Sequence, residues 1–308
     1  MNLAHSLPAL SAAFLGFVAS ATAGDWPQWR GPHFNGSSDE KNLPASWSKT
    51  ENIAWSVEMP GPSAATTIVW GDSLFVSSTD AGSKTLQAIC LDRRSGKVRW
   101  QYKTSDAFGR GDTSNFASPS PATDGKLVVF YYGNGELAAF DLDGQKIWSR
   151  NIQTDYGDFA YQWTYGASPL LDGGKLYIQV LQRNEPVRGR GKQDGESYLL
   201  ALDPASGKTL WQHVRPSEAK AESFEAYTTP MPFEHNGRKE LLVIGGDDLT
   251  GHDPATGQEL WRWGTWNPSR IGHWRLVPSA VAGAGVILAC APKGDPIYAI
   301  KAGGSGRL

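Results

Sequence analysis

From about residue 64 onward, short apolar runs alternate with tight polar punctuation. KLVVFYY at 126–132, KLYIQV at 175–180, ELLVIGG at 240–246 and GVILACAP at 285–292 have the length and the β-branched and aromatic content of strands. Asp124-Gly125, Gly173-Gly174 and Asn236-Gly237 stand just before three of them, where a hairpin needs residues that accept positive φ. A second kind of run follows each strand and ends in tryptophan. LDRRSGKVRW at 91–100, FDLDGQKIW at 140–148, LDPASGKTLW at 202–211 and HDPATGQELW at 252–261 superimpose, with Trp four residues after Gly each time.

Such self-similarity at 40 to 50 residues is the signature of propellers or solenoids. Each unit opens on a small-Ser/Thr-Pro stretch (strand A), turns into the apolar strand B, continues into strand C ending in Asp, and finishes in strand D at the Trp. Four short antiparallel strands per unit make a propeller blade, so the pattern predicts an all-β propeller. Its units run near 52–102, 103–150, 151–214, 215–263 and 264–308, after an extended segment at 24–50. In the fifth, AIKAGGSGRL at 299–308 aligns with ALDPASGKTLW, and Gly306 anticipates a Trp two positions past Leu308. At the other end Trp55, in NIAWSVEM, is a strand-D tryptophan with no unit before it. The arrangement reads as an incomplete larger propeller; closure of five blades by the Trp55 strand is the alternative.

The repeat residues have structural duties. Asp92, Asp141, Asp203 and Asp253 leave strand C with an oxygen free for backbone amides two residues on, and Gly96, Gly144, Gly207 and Gly257 take the left-handed turn position. Trp55, Trp100, Trp148, Trp211 and Trp261 are expected to bind neighbouring blades together. Burying one indole is worth roughly 4 to 6 kcal/mol before entropy is subtracted.

Composition agrees with this picture. Glycine at 35 and tryptophan at 13 suit many tight turns beside large buried rings, and a net charge of −2 gives no basic excess for a phosphate backbone. Nucleic acid is therefore not an expected partner. The two cysteines, Cys90 and Cys290, lie in apolar strands and are expected as free thiols. Residues 7–19 are apolar and Ala21-Thr22-Ala23 supplies a small-x-small motif, so residues 1–23 read as a signal peptide cleaved after Ala23, with a periplasmic or secreted destination and no membrane span afterwards.

The repeat of Asp, Ser/Thr-Gly and Trp, with its Ser-Pro strand A, resembles the pyrroloquinoline quinone (PQQ) repeat propellers over residues 50–308. Trp26-Pro27-Gln28-Trp29-Arg30-Gly31-Pro32 is similar to the N-terminal stretch of secreted bacterial members. The resemblance implies one of two functions: a non-catalytic binding or scaffolding module, like the propeller lipoprotein of the outer-membrane β-barrel insertion machinery, or a PQQ- and calcium-dependent oxidoreductase acting on an alcohol or sugar. The dehydrogenases place two adjacent cysteines against the quinone, whereas Cys90 and Cys290 are far apart. Their calcium ligands do not map onto this chain, so no catalytic or metal residue is assigned and the scaffold is the favoured reading.

In a propeller the connections from strand D to the next strand A gather on one face. There they place Arg110, Asp112, Asn115, Tyr161, Trp163, Tyr165, Glu225, Tyr227, Arg270, His273, Trp274 and Arg275 as candidate ligand contacts. Aromatic walls with convergent charge suit a planar acidic ligand, a peptide or a glycan. An envelope or secreted protein, or a small ligand in the central channel, is the expected partner. The insertion RNEPVRGRGKQDGES at 183–197, with Arg183, Arg188, Arg190 and Lys192, is expected to be a solvated excursion between strands B and C, a partner-docking arm being the alternative. No Cys-x-x-Cys, phosphate loop or nucleophile elbow occurs, which removes the corresponding enzyme classes.

Overall fold

In the computed structural model, residues 24–41, 43–109 and 115–308 are described. The expected signal peptide at 1–23 lies outside them. The fold is a β-propeller arc of antiparallel sheets. Blade one holds β1 (Ile68–Trp70), β2 (Ser73–Asp80), β3 (Thr85–Asp92) and β4 (Val98–Ser105). Blade two holds β5 (Ala122–Thr123), β6 (Leu127–Tyr131), β7 (Glu136–Asp141) and β8 (Lys146–Asn151), followed by a single helical turn, α1 (Ile152–Tyr156). Blade three holds β9 (Leu170–Asp172), β10 (Lys175–Val180), β11 (Tyr198–Leu202) and β12 (Thr209–Val214). Blade four holds β13 (Met231–His235), β14 (Arg238–Gly245), β15 (Asp248–His252) and β16 (Glu259–Trp263).

The fifth sheet has three strands: β17 (Val281–Gly283), β18 (Val286–Cys290) and β19 (Ile297–Lys301). A short β20 (Gly306–Arg307) pairs in parallel with β16 of blade four instead. Residues 52–58 are assigned to no strand and pair with no sheet among the described residues, so a five-blade closure through the Trp55 segment is not observed. Cys90 is buried and Cys290 partly so, and both are free thiols.

Adjacent blades meet through tryptophan on glycine. The indoles of Trp55, Trp100, Trp148 and Trp211 lie over Gly96, Gly144, Gly207 and Gly257, each belonging to the next blade. A Cβ added to these glycines would sit 2.5, 2.6, 2.6 and 2.6 Å from the ring, and all four have φ between 70° and 93°. Both facts demand glycine. Trp55, Trp100 and Trp148 donate Nε1–H to the carbonyls of Arg93, Leu142 and Pro204 at 2.9, 3.0 and 2.8 Å. At the fourth seam the corresponding Pro254 carbonyl accepts from Tyr177 Oη instead. The aspartate before each carbonyl holds the turn: Asp92, Asp141, Asp203 and Asp253 all accept backbone N–H groups of the residues that follow.

The inner strands are tied by hydroxyls. The backbone N–H of Thr66 donates to Ser120 Oγ, Ser120 to Ser168, Ser168 to Thr229 and Thr229 to Ser279, each at 2.9 or 3.0 Å. This relay crosses all five blades and accounts for the Ser/Thr at every strand-A entrance. The N-terminal segment crosses the same strands. Trp26 forms a two-bond bridge with Val69, the Pro27 carbonyl accepts from Thr123, Gln28 bonds both backbone groups of Leu171, and Arg30 reaches the carbonyl of Ala280. Residues 25–30 thus touch blades one, two, three and five in turn.

Between blades three and four lies a buried polar seam. Arg215, 1% exposed, donates to Thr250 Oγ1 and to the carbonyls of Gly245 and Asp248. His252 is fully buried, its Nδ1 3.0 Å from the Gly257 carbonyl and its Nε2 2.8 Å from Thr250 Oγ1, with the His213 ring against it. Burial, and then the Arg215 charge, push the His252 imidazole down to about 3.

Two predictions follow from these seams. Gly174 and Gly207 share a similar φ, but only Gly207 faces an indole. Alanine at Gly174 is expected to cost about 1–2 kcal/mol, the left-handed penalty alone, and alanine at Gly207 about 1–3 kcal/mol more because the ring must shift; urea midpoints compare them. His252 stays neutral in the fold, while the unfolded chain takes up a proton below about pH 6.5. Its contribution is complete above that pH and is lost as pH falls toward the folded value of about 3. Urea midpoints measured from pH 7.5 downward are expected to fall less steeply in His252→Gln than in the wild-type chain; equal slopes refute the assignment.

Candidate functional site

Antiparallel order puts the A–B and C–D turns of every blade at one end and the B–C loops and D–A connections at the other. The second end therefore receives residues 152–169, 181–197, 215–230 and 264–280, and all four stretches meet there through side chains. Glu225, wholly buried, is the centre of the contact. It accepts from Arg183 Nε at 2.5 Å, from the Gln162 backbone N–H at 3.0 Å and from Tyr227 Oη. Burial raises the Glu225 carboxyl above its ordinary value, against the opposing pull of Tyr227, the Gln162 amide and Arg183. Burial, with Glu225 beside it, raises the Tyr227 hydroxyl as well.

Tyr161 and Tyr165 form the floor with Phe159. Phe159 stacks on Tyr165 at 5.1 Å, and Tyr161 meets Tyr227 at 5.5 Å. Tyr165 donates its hydroxyl to the Gln179 carbonyl at 2.6 Å. Both tyrosines are buried and hold the connection in place without facing solvent. Trp163 does face it, at 37% exposure, with its backbone N–H on Tyr227 Oη. The guanidinium of Arg275 lies over this indole at 5.6 Å and that of Arg188 at 6.0 Å. Arg275 also pairs with Glu222 at 2.5 Å.

The remaining candidates lie elsewhere. Arg110 and Asp112 are outside the described residues. Asn115 spends its side-chain oxygen on the Ala117 N–H. Arg270 pairs with Glu218 and approaches Asp247. The run His273-Trp274-Arg275 divides three ways: His273 is exposed, Trp274 packs on the core of blades four and five, and Arg275 turns to Trp163. The cluster also contains Glu222, one of the polar residues of the 215–227 connection, and Arg183 and Arg188 of the 183–197 insertion, none of which was among the ligand candidates. The 183–197 segment is a largely exposed excursion between β10 and β11, and its tip is ordered. Val187 and Arg190 exchange two backbone hydrogen bonds across Arg188-Gly189, whose φ values of 50° and 76° make a tight hairpin turn. Gly189 at the second turn position was the legible signal.

Among the described residues no group of three or more His, Cys, Asp or Glu could hold a metal ion. No helix of the described residues is long and apolar enough to cross a membrane.

A family model described as outer membrane protein assembly factor BamB matches residues 34–184 and 160–307. A polyvinylalcohol dehydrogenase from Pseudomonas sp is 27% identical over 205 residues, covering 63% of this chain and 28% of that protein. Its counterpart from Sphingopyxis sp. strain 113P3 is 27% identical over 243 residues, covering 74% and 33% respectively. Among solved structures, the quinohemoprotein alcohol dehydrogenase from Comamonas testosteroni superposes with a TM-score of 0.60 at 17% identity, over 91% of this chain and 48% of that one. The chain thus spans 28% and 33% of the two curated relatives, and the structural likeness speaks for the fold.

The cluster yields a stability prediction. Removing Arg183 leaves the Glu225 carboxylate buried without its cation, so Arg183→Ala is expected to cost about 3–5 kcal/mol by urea unfolding. Adding Glu225→Gln to it should recover a large part of that loss. A double variant no more stable than the single one would show that the pair is not coupled.

Proposed function

The chain belongs to the PQQ-repeat propeller family whose model carries the BamB description, and we propose that within it the protein is a non-catalytic binding module of the periplasm or the exterior. The observation that carries this reading is how the acids of the connection face are used. Glu225, Glu222 and Asp247 each have an arginine against them, and Glu225 and Asp247 are buried. A general base or a calcium site needs carboxylates that substrate or metal can reach. Open to solvent on this face, beside the exposed Asp158, Glu218 and His273, is Trp163 with two guanidiniums near its ring, an amphipathic anchor of the kind that dominates binding surfaces.

A calcium-held quinone is the cofactor that the family's dehydrogenases suggest. The described donor set does not fit it: no three-ligand cluster is present, and the cysteines lie separately in blades one and five. No step is derived through that group. Export is supported by the apolar run and the Ala21-Thr22-Ala23 motif of the sequence.

Two measurements test the module. With PQQ and calcium added, the purified chain is expected to show no quinone absorbance shift and no dye reduction with ethanol, glucose or polyvinyl alcohol; sustained turnover overturns the reading. In envelope extract, a partner recovered by the wild-type chain should be lost, by about tenfold or more, with Trp163→Ala. A partner retained at full yield places the binding surface elsewhere.

A further inference from the structure

Resting on the binding-module reading, we propose that the Arg188 hairpin and Trp163 form a receptor for the carboxylates of an acidic peptide segment. The first observation is that the hairpin is built to be rigid. Its turn is closed by hydrogen bonds of 2.8 and 3.0 Å between Val187 and Arg190. Val187 is 4% exposed, and Arg190 Nη2 reaches back to the Tyr161 carbonyl at 3.2 Å. Gly191 lies so close to Ala160 that an added Cβ would come within 2.5 Å of the alanine methyl. The tip is therefore seated on the same 159–163 connection that carries Trp163, and ordering it on binding costs little.

The second observation is charge left over. From Pro186 to Lys192 the segment carries Arg188, Arg190 and Lys192 and no acid. None of the three makes an ion pair among the described residues, although Arg183, Arg262, Arg270 and Arg275 nearby in the fold all do. Of the stem carboxylates, Glu185 is turned to Arg183 at 3.9 Å, and Asp194 and Glu196, past the tip, make no ion pair with Arg188, Arg190 or Lys192 among the described residues. The net charge of −2 over the whole chain makes this local excess a feature of the tip and not of a basic surface.

The third observation selects the ligand. The Arg188 guanidinium lies 6.0 Å from the Trp163 ring centroid and makes no ion pair among the described residues, so its planar set of N–H donors is left to pair with a carboxylate. Arg275 stacks on the same ring with Glu222 already on its edge, an internal example of the interaction. Stacking of a sugar would compete with the guanidiniums that lie 5.6 and 6.0 Å from the ring centroid. Peptide carboxylates need only the N–H groups of Arg188 and Lys192 and those that Arg190 does not spend on the Tyr161 carbonyl.

The test uses the full chain and fluorescence anisotropy of fluorescein-labelled hexaglutamate, with labelled hexaglutamine as the neutral control. Hexaglutamate is expected to bind and hexaglutamine not, with the hexaglutamate Kd rising at least about fivefold between about 50 and 200 mM NaCl. Arg188→Ala should weaken binding by about tenfold, and Arg188→Lys less, since charge persists while the planar fork is lost. Lys126→Ala, exposed at the opposite end, should leave it unchanged. Equal binding of the two peptides, or an Arg188→Ala, Arg190→Ala variant that binds as the wild type does, overturns the proposal. So does binding of oligogalacturonate with both peptides silent. A partner lost from envelope extract with Trp163→Ala while hexaglutamate stays unbound leaves the module standing and removes the acidic peptide alone; quinone-dependent turnover removes the module itself.

Discussion

An indole cannot lie flat on a neighbouring strand turn unless the turn has no side chain there. That exclusion organises the molecule. At Gly96, Gly144, Gly207 and Gly257 the left-handed φ and the ring above both forbid a Cβ, and the tryptophan filling the space comes from the preceding blade. Each blade is therefore incomplete until its neighbour arrives. The indole N–H adds direction, because its acceptor is the carbonyl just past the turn aspartate, and a ring rotated or shifted along the seam would lose it. Outer seams made this way, with the hydroxyl relay along the inner strands, fix both edges of the first four blades. The D–A connections are then held at one end as a set.

The same constraint explains where regularity fails. Trp261 occupies the fifth docking position in the repeat, yet an added Cβ at Gly306 would meet nothing within 4 Å. Trp261 instead is 2% exposed and donates its N–H to Glu240 Oε2 at 2.6 Å. Arg238 shares that carboxylate, which balances a charge otherwise out of water. With its tryptophan turned inward, blade four presents the edge of β16, and β20 takes it. The N-terminal segment offsets the irregularity at the hub, because its bonds to blades one, two, three and five do not depend on the outer seams.

Legibility in the sequence followed the range of each interaction. The Gly-to-Trp offset and the Asp turns are local chemistry repeated at a period, so four-stranded antiparallel blades could be read from letters alone. The Ser/Thr of strand A were visible as a pattern without a purpose, since Ser120 finds its acceptor 48 residues away on Ser168. The connection face was harder still. Glu225, Arg183 and Gln162 are drawn from three separate connections, and no spacing announces that they meet. Adjacency in sequence was misleading for His273, Trp274 and Arg275, because neighbouring residues of an extended connection point in different directions. Arg188 stood in a segment whose polarity suggested solvent, and only the pairing of Val187 with Arg190 turns its guanidinium back onto Trp163.

Burial divides the connection face into two kinds of charge. Glu225 and Arg183 meet within the protein, and a ligand displacing either would have to leave the other uncompensated, a cost of several kcal/mol. They act as positioning residues, holding the Trp163 backbone through Gln162 and Tyr227. Arg188 faces no such penalty: its partner is an aromatic face, and a carboxylate can be added at its edge without any bond being broken. Selectivity on this surface therefore resides where the protein has left a cation unneutralised. The buried pair beneath it sets how accurately that cation is presented.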